Sequence, residues 1–268
     1  MRDLRSVSRF LVSAVPVVML AAVLGGCQTA FPNVTGALGA RAEASDSADP
    51  KRNVDNAAER FRANPRDAQA ALSYGQSLRA NGQRSQAVAV LERATIANPG
   101  NKALLAAYGR ALADNGNLQQ AFDTLGRAHA PEDPDWRILS VQGAVLDQLG
   151  RHPEAQRYYA NALKIAPEDP SVLSNLGLSY VLSKKPQKAE EVLRRAYAGG
   201  NIDPRVRQNL ALAVGLQGRY SEAETIAKAD LPPEEAAANV AYLKQMMSGN
   251  EPQRRNVDAA AVPDRSRS

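Results

Sequence analysis

Two histidines, one cysteine and a scatter of carboxylates are the residues of this 268-residue chain with the means for reactive chemistry. His129 and His152 have no cysteine beside them and no carboxylate pair at ligand spacing. They do not share a helix, so a zinc site is not encoded, and they read as surface or helix-capping residues. Glu190-Glu191 and Glu234-Glu235 are adjacent, which on a helix turns them to different faces, and they read as solvated charges. No glycine-rich phosphate loop, nucleophile elbow or zinc-protease motif is present. The single cysteine, Cys27, excludes an intramolecular disulfide. An active centre would need acids brought together from separate elements, Asp147 among them. The chain reads instead as a non-enzyme with no cofactor, no metal and no small-molecule substrate.

The elements that position these residues are set by a repeat. Gly75, Gly109, Gly143 and Gly177 stand 34 residues apart, and Ala211 takes the next place. Ala87, Ala121, Ala155, Ala189 and Ala223 keep the same step, as do Ala94, Ala128, Ala162 and Ala196. This period resembles that of tetratricopeptide repeats (TPR), antiparallel helix pairs stacked into a solenoid. The expected fold is therefore all-α: a TPR solenoid of about five helix pairs, at 68–101, 102–135, 136–169, 170–203 and 204–237, with capping helices. Each first helix carries apolar residues at turn spacing, such as Ile138, Leu139 and Leu146, or Leu173, Leu176 and Tyr180. The small residue at the eighth position is expected to let the second helix approach, against the alanine at Ala87 and its equivalents. Gly82, Gly116, Gly150 and Gly218 suit left-handed caps between helices, whereas Lys184-Lys185-Pro186 departs from that pattern. Asp55 to Ala63 reads as a short N-terminal half-repeat. At the other end Pro233-Glu234-Glu235 starts a capping helix with the apolar stripe Ala236, Val240, Leu243 and Met247, and Gly249 stops it.

In the tetratricopeptide family, positions 2, 5, 6, 9, 12 and 13 of the first helix line the inner face. Here the resemblance puts Arg110, Arg137, Ser140, Asp147, Ser174, Asn175, Arg205, Gln208 and Asn209 in a partner-binding groove. Asn175 and Asn209 share position 6, where a primary amide can donate to and accept from a peptide bond; plain solvation is the alternative. A chaperone-type carboxylate clamp wants Lys at position 5 and Asn at position 9. Leu72, Ala106, Ser140, Ser174 and Gln208 occupy the first, and Gln76, Arg110, Ala144, Leu178 and Leu212 the second, so the clamp is absent. Toward the C-terminus the lining turns apolar, with Leu178, Val181, Leu182, Leu212 and Leu216. Both internal packing and an amphipathic partner segment fit that pattern.

Formal charge is +5, from 33 basic and 28 acidic residues that are interspersed rather than clustered. A nucleic-acid partner is not expected. Arg2, Arg5 and Arg9 precede an apolar run from Phe10 to Leu24, the layout of a secretory signal and too short for a spanning helix. Leu24-Gly25-Gly26-Cys27 resembles the bacterial lipobox. The resemblance implies cleavage between Gly26 and Cys27 and lipidation of Cys27, and Gln28 in second place favours the outer membrane. Acyl chains contribute about 0.8 kcal/mol per buried CH₂, enough for stable anchoring with two or more chains. The expected organisation is a signal peptide at 1–26, a lipidated flexible tether at 27–52, the solenoid at 53–248 and a disordered tail at 249–268.

Beyond the repeat, several segments resemble the TadD family, lipoproteins of the Tad/Flp (tight adherence) pilus assembly system. They are Asp133 to Trp136, Gly143 to Gly150, Pro170 to Gly177, Arg205 to Leu212 and Ala236 to Leu243. The resemblance implies a lipid-anchored scaffold on the periplasmic face of the outer membrane. It would bind pilus assembly proteins, with a pilotin-like role toward the secretin. A TPR adaptor for outer-membrane barrel assembly or for peptidoglycan hydrolases is the alternative.

Overall fold

The computed structural model describes residues 50–198 and 203–249. The signal segment, Cys27 and the tail beyond Gly249 lie outside the described residues, as does nearly all of the tether.

The described chain is built of α-helices joined by turns, with one isolated β-bridge between Ala130 and Asp133. A first helix, α1 (Pro50–Ala63), precedes five pairs: α2 (Ala68–Ala80) with α3 (Arg84–Ala97), α4 (Lys102–Asp114) with α5 (Leu118–Gly126), α6 (Trp136–Gln148) with α7 (His152–Ile165), α8 (Pro170–Leu182) with α9 (Pro186–Ala198), and α10 (Pro204–Gly215) with α11 (Tyr220–Ala227). α12 (Pro233–Gly249) closes the series. The first helices thus begin at the five positions that the 34-residue register predicts. α1 is longer than the expected half-repeat and begins at Pro50, inside the segment assigned to the tether.

Local chemistry explains why the first helices start where they do. Asp67, Asn101, Asp135, Asp169 and Asp203 each precede one, and each side chain accepts a backbone N–H of the first turn. Such caps satisfy donors that the helix itself leaves orphaned, at about 1 kcal/mol apiece. The second helices α3, α5, α7 and α11 have no side-chain cap. They start from the tight turn instead, where Gly82, Gly116, Gly150 and Gly218 take positive φ. Lys184 fills the equivalent place in the fourth repeat at φ 61°, a left-handed backbone that a side chain with a Cβ adopts only at some cost.

Packing within each pair hinges on the eighth position. A Cβ added at Gly75 would lie 2.6 Å from Leu91 Cγ, at Gly109 2.6 Å from Leu125 Cγ, and at Gly143 2.7 Å from Tyr159 Cε1. At Gly177 it would run into Leu193. The residue seated on the glycine is therefore the large side chain sixteen positions on, not the alanine at Ala87 and its equivalents. Those alanines are fully buried at their own sites, with Ala87, Ala121, Ala155 and Ala189 at 0% exposure. In the fifth repeat both members change: Ala211 and Ala227 form one small buried cluster with Ala236 of α12. One added methyl is accommodated because the facing leucine has become alanine.

Gly109→Ala is expected to cost a net of up to about 2 kcal/mol, since overpacking of about 1–3 kcal/mol outweighs the roughly 1 kcal/mol that alanine gains in helix propensity. Leu125→Ala should cost about 2–5 kcal/mol. In denaturant unfolding the double variant should cost clearly less than the two singles combined, by about 0.5–3 kcal/mol of coupling. Strict additivity would contradict the seat.

Candidate functional site: the inner face of the solenoid

Each first helix packs against the first helix of the next repeat, α2 on α4, α4 on α6, α6 on α8 and α8 on α10. No pair of successive second helices packs to that degree among the described residues. The first helices are therefore the closer set, and the stack curves with them on its inside. This places the sequence-expected residues of α4, α6, α8 and α10 on one face.

Several of them are joined by bonds that step from one repeat to the next. The Asn175 amide donates to Ser140 Oγ at 3.2 Å, and the Asn209 amide donates to Ser174 Oγ at 3.1 Å. Arg79 Nε donates to Asp114 Oδ2 at 2.6 Å in the same manner. All three pairs are 35 residues apart, one repeat plus one position. Ser140 and Ser174 are buried, and the two asparagines half-buried. Solvation thus does not describe Asn175 and Asn209, which tie neighbouring repeats. Each still has a second N–H and a carbonyl oxygen with no protein partner among the described residues, so a peptide group can still be met. Arg205 is paired with Asp203, the cap of its own helix, through contacts of 2.6–3.2 Å. Gln208 is exposed.

Asp147 departs furthest from the expectation. Its carboxylate side chain is 8% exposed and accepts from His152 Nδ1 at 2.8 Å, Ser179 Oγ at 2.8 Å and Tyr159 Oη at 3.1 Å. It is an internal tie between α6, α7 and α8 rather than a groove contact. Burial pushes its pKa above the ordinary aspartate value, against the opposing pull of those three hydrogen bonds. Burial and the neighbouring Asp147 charge also drive the Tyr159 phenol well above its usual value. His152, read from sequence as a surface or capping residue, belongs to this cluster. His152 and Ser179 both bond the aspartate, and among the described residues no serine–histidine hydrogen bond of the kind that activates a nucleophile is found. His129 likewise has an interior partner, with Nε2 3.3 Å from Gln142 Oε1.

Glu190 is also more than a solvated charge. It accepts from Arg194, Gln217 and Arg219, and Glu222 bonds the same two arginines, which links α9 to the α10–α11 turn and to α11. Burial pushes the Glu190 pKa upward, yet the hydrogen bonds from Arg194, Gln217 and Arg219 prevail and hold it below the usual value.

Two groove arginines differ from Arg205. Arg137 lies over the Trp136 ring, its guanidinium carbon 4.5 Å from the centroid. Arg110 is half-buried and has no hydrogen-bond or ion-pair partner among the described residues. At the C-terminal end the apolar lining is partly consumed by packing. Leu178, Val181, Leu212 and Leu216 are half-buried, and Leu243 of α12 sits where a Gly215 Cβ would fall, at 2.5 Å. In the expected stripe of α12, Ala236 is buried, Val240 and Leu243 are half-buried, and Met247 is exposed. Leu182 remains 41% exposed.

Among the described residues no three His, Cys, Asp or Glu side chains are arranged to hold a metal. No described helix is long and apolar enough to cross a membrane. Gly26 and Cys27 lie outside the described residues.

Comparison with known proteins agrees with this geometry. Tetratricopeptide repeat models match residues 75–135 and 137–200. TTC0263, a thermophilic TPR protein of Thermus thermophilus, is 23% identical with a TM-score of 0.57, over 67% of this chain and 100% of that one. A chain of the APC/C hetero-tetramer Cut9-Hcn1 is 17% identical with a TM-score of 0.60, over 74% of this chain. The match spans only 40% of the length of that relative. Pseudomonas aeruginosa pilF is 20% identical with a TM-score of 0.55, over 76% of this chain and 99% of that one. No curated protein sequence matches the chain. The repeat models lie on four of the five helix pairs and the fifth keeps the register, so the chain folds as a tetratricopeptide-repeat solenoid. Its repeats make it a scaffold for protein–protein interaction.

Asp147→Ala would leave the buried Ser179 and Tyr159 hydroxyls without their acceptor and should cost about 1–3 kcal/mol. Asp147→Asn keeps an acceptor and removes the charge. Because the folded-state pKa is raised, the stability linked to this group is present at low pH and lost as pH rises through the folded value. Unfolding measured from pH ~4 upward should therefore show the native protein losing stability relative to Asp147→Asn. Parallel pH curves, with Asp147→Ala neutral, would contradict the assignment.

Proposed function

We propose that this protein is an outer-membrane lipoprotein whose solenoid stands in the periplasm and holds a protein component of the Tad/Flp pilus assembly machinery, with a pilotin-like role toward the secretin. The observation that carries the binding half of this reading is the inner face itself. It keeps an Arg110 with no hydrogen-bond or ion-pair partner among the described residues and half-used Asn175 and Asn209 amides on stacked helices, while Asp147 is tied between helices and Arg205 to the cap of its own helix. Preformed donors and acceptors on a stacked scaffold lose little entropy on binding. The membrane half rests on Leu24-Gly25-Gly26-Cys27 and the arginine-led apolar run before it. The pilus half rests on the resemblance of Arg205 to Leu212 and Ala236 to Leu243 to the TadD family, residues that the repeat pattern itself does not require.

No cofactor or small substrate enters this function. The buried Asp147 cluster holds helices together, and the face offers recognition rather than a reaction.

The test is deletion and replacement in the source bacterium. Loss of the gene should abolish pili and leave outer-membrane barrel proteins and cell-wall growth intact. Cys27→Ser should leave the repeats folded but shift the protein out of the outer-membrane fraction, and piliation should fall with it. Normal pili after deletion, or a general loss of barrel proteins or of wall growth, would overturn the pilus reading. Unchanged fractionation of Cys27→Ser would overturn the anchor.

A further inference from the structure

The N-terminal half of the inner face holds a charge that the protein does not match. Arg110 lies within electrostatic reach of two other cations, Arg79 and Arg137, and of two acids, Asp114 and Asp135. Both acids are already committed. Asp114 takes the Arg79 Nε at 2.6 Å, and Asp135 caps α6 through the Arg137 backbone N–H at 2.7 Å. Arg137 rests on Trp136, and Arg79 has its carboxylate. The Arg110 guanidinium is left half-buried and under the influence of two other cations, with no hydrogen-bond or ion-pair partner among the described residues. Burial, and then the Arg79 charge, push its pKa below the usual arginine value; Asp135 pulls the other way, Arg137 adds to the lowering, and Asp114 opposes it least.

Partly desolvating a cation without pairing it is unfavourable, and five fixed donors with no acceptor are a poor use of an arginine held between two helical repeats. The arrangement becomes favourable once a carboxylate supplies two oxygens to the guanidinium fork. We propose that Arg110, flanked by Arg79 and Arg137, is the receptor for an acidic side chain of a partner protein bound in extended form along the inner face. A peptide fits better than a free anion because the same face carries, farther along, the remaining N–H and carbonyl groups of the Asn175 and Asn209 amides. Those complement a peptide backbone, while Arg110 complements a Glu or Asp side chain on it. This proposal rests on the reading of the solenoid as a protein-binding scaffold and adds the chemistry of what it binds.

The experiment uses the full chain in detergent and a fluorescein-labelled peptide alternating Glu and Gly, with a twin in which every Glu is Gln. Anisotropy titrations are run on the native protein, Arg110→Gln, Arg110→Lys and the charge-matched control Arg93→Gln, whose side chain is exposed on α3. The native protein should prefer the Glu peptide, and Arg110→Gln should weaken it by roughly tenfold or more, the loss of one charge-assisted pair. Arg110→Lys should retain part of the affinity, and Arg93→Gln should stay within about twofold of the native protein, since an exposed charge on a second helix, off the inner face, contributes little. Thermal unfolding of Arg110→Gln should be no lower than that of the native protein, which separates lost binding from lost fold. Equal affinity for both peptides, or equal loss in Arg110→Gln and Arg93→Gln, would overturn the proposal. So would selection by Arg110 of orthophosphate or phosphatidylglycerol vesicles over the peptide. The outcomes stay separable from those for the pilus role. Glu-peptide selectivity through Arg110 in a strain that makes pili without the gene would leave this inference standing and remove that role. Capture of a pilus component undiminished by Arg110→Gln would do the reverse.

Discussion

The whole stack depends on how near the two helices of a pair can come. In four repeats that distance is set by a leucine or tyrosine side chain seated on a bare glycine backbone, Leu91 on Gly75, Leu125 on Gly109, Tyr159 on Gly143 and Leu193 on Gly177. The seat buries a large side chain completely and admits no additional carbon. Pair separation fixes where the next first helix lands, and that in turn brings residues one repeat and one position apart into hydrogen-bond range. Ser140 with Asn175, Ser174 with Asn209 and Arg79 with Asp114 are consequences of that spacing.

Those bonds also decide what the inner face can offer. A solenoid is held by nearest-neighbour interfaces, so polar side chains between repeats have a structural use as well as a recognition use. Asp147 is wholly taken by the first, with three donors on one carboxylate. Asn175 and Asn209 divide themselves between the two. Arg110 has no internal partner among the described residues and is left for the second. The recognition surface is what remains after the repeats have satisfied one another, and it is richer in positive charge at the N-terminal end and in apolar surface at the other. At that second end α12 takes part of the apolar surface for itself, with Leu243 over Gly215 and Val240 against the α10–α11 core.

Much of the architecture was legible because the register is strict. Glycines and alanines at a step of 34 gave the number of pairs and the starts of the first helices. A second series with the same step, Asp67, Asn101, Asp135, Asp169 and Asp203, marks the helix caps and carries the same information in polar residues. The large residue facing each glycine also repeats in sequence, but choosing it over Ala87 and its equivalents requires knowing which way the second helix is rotated. Partnership across repeats was the least legible part. Asp147 shares its helix face with true lining positions, and only three-dimensional packing reveals that His152, Tyr159 and Ser179 converge on it. Arg79 and Asp114 stood at lining positions 12 and 13 of successive repeats, a signal readable only once the one-position offset between repeats is known.

The central claim is that the first helices form the binding face. Photo-crosslinking in living cells tests it most directly, with benzoylphenylalanine placed singly at Arg137, Gln208 and Glu191, all three exposed. The first two lie on first helices of different repeats and the third on the second helix α9. Arg137 and Gln208 should capture one and the same protein, and Glu191 should not. Capture of that protein from Glu191 alone would contradict the claim.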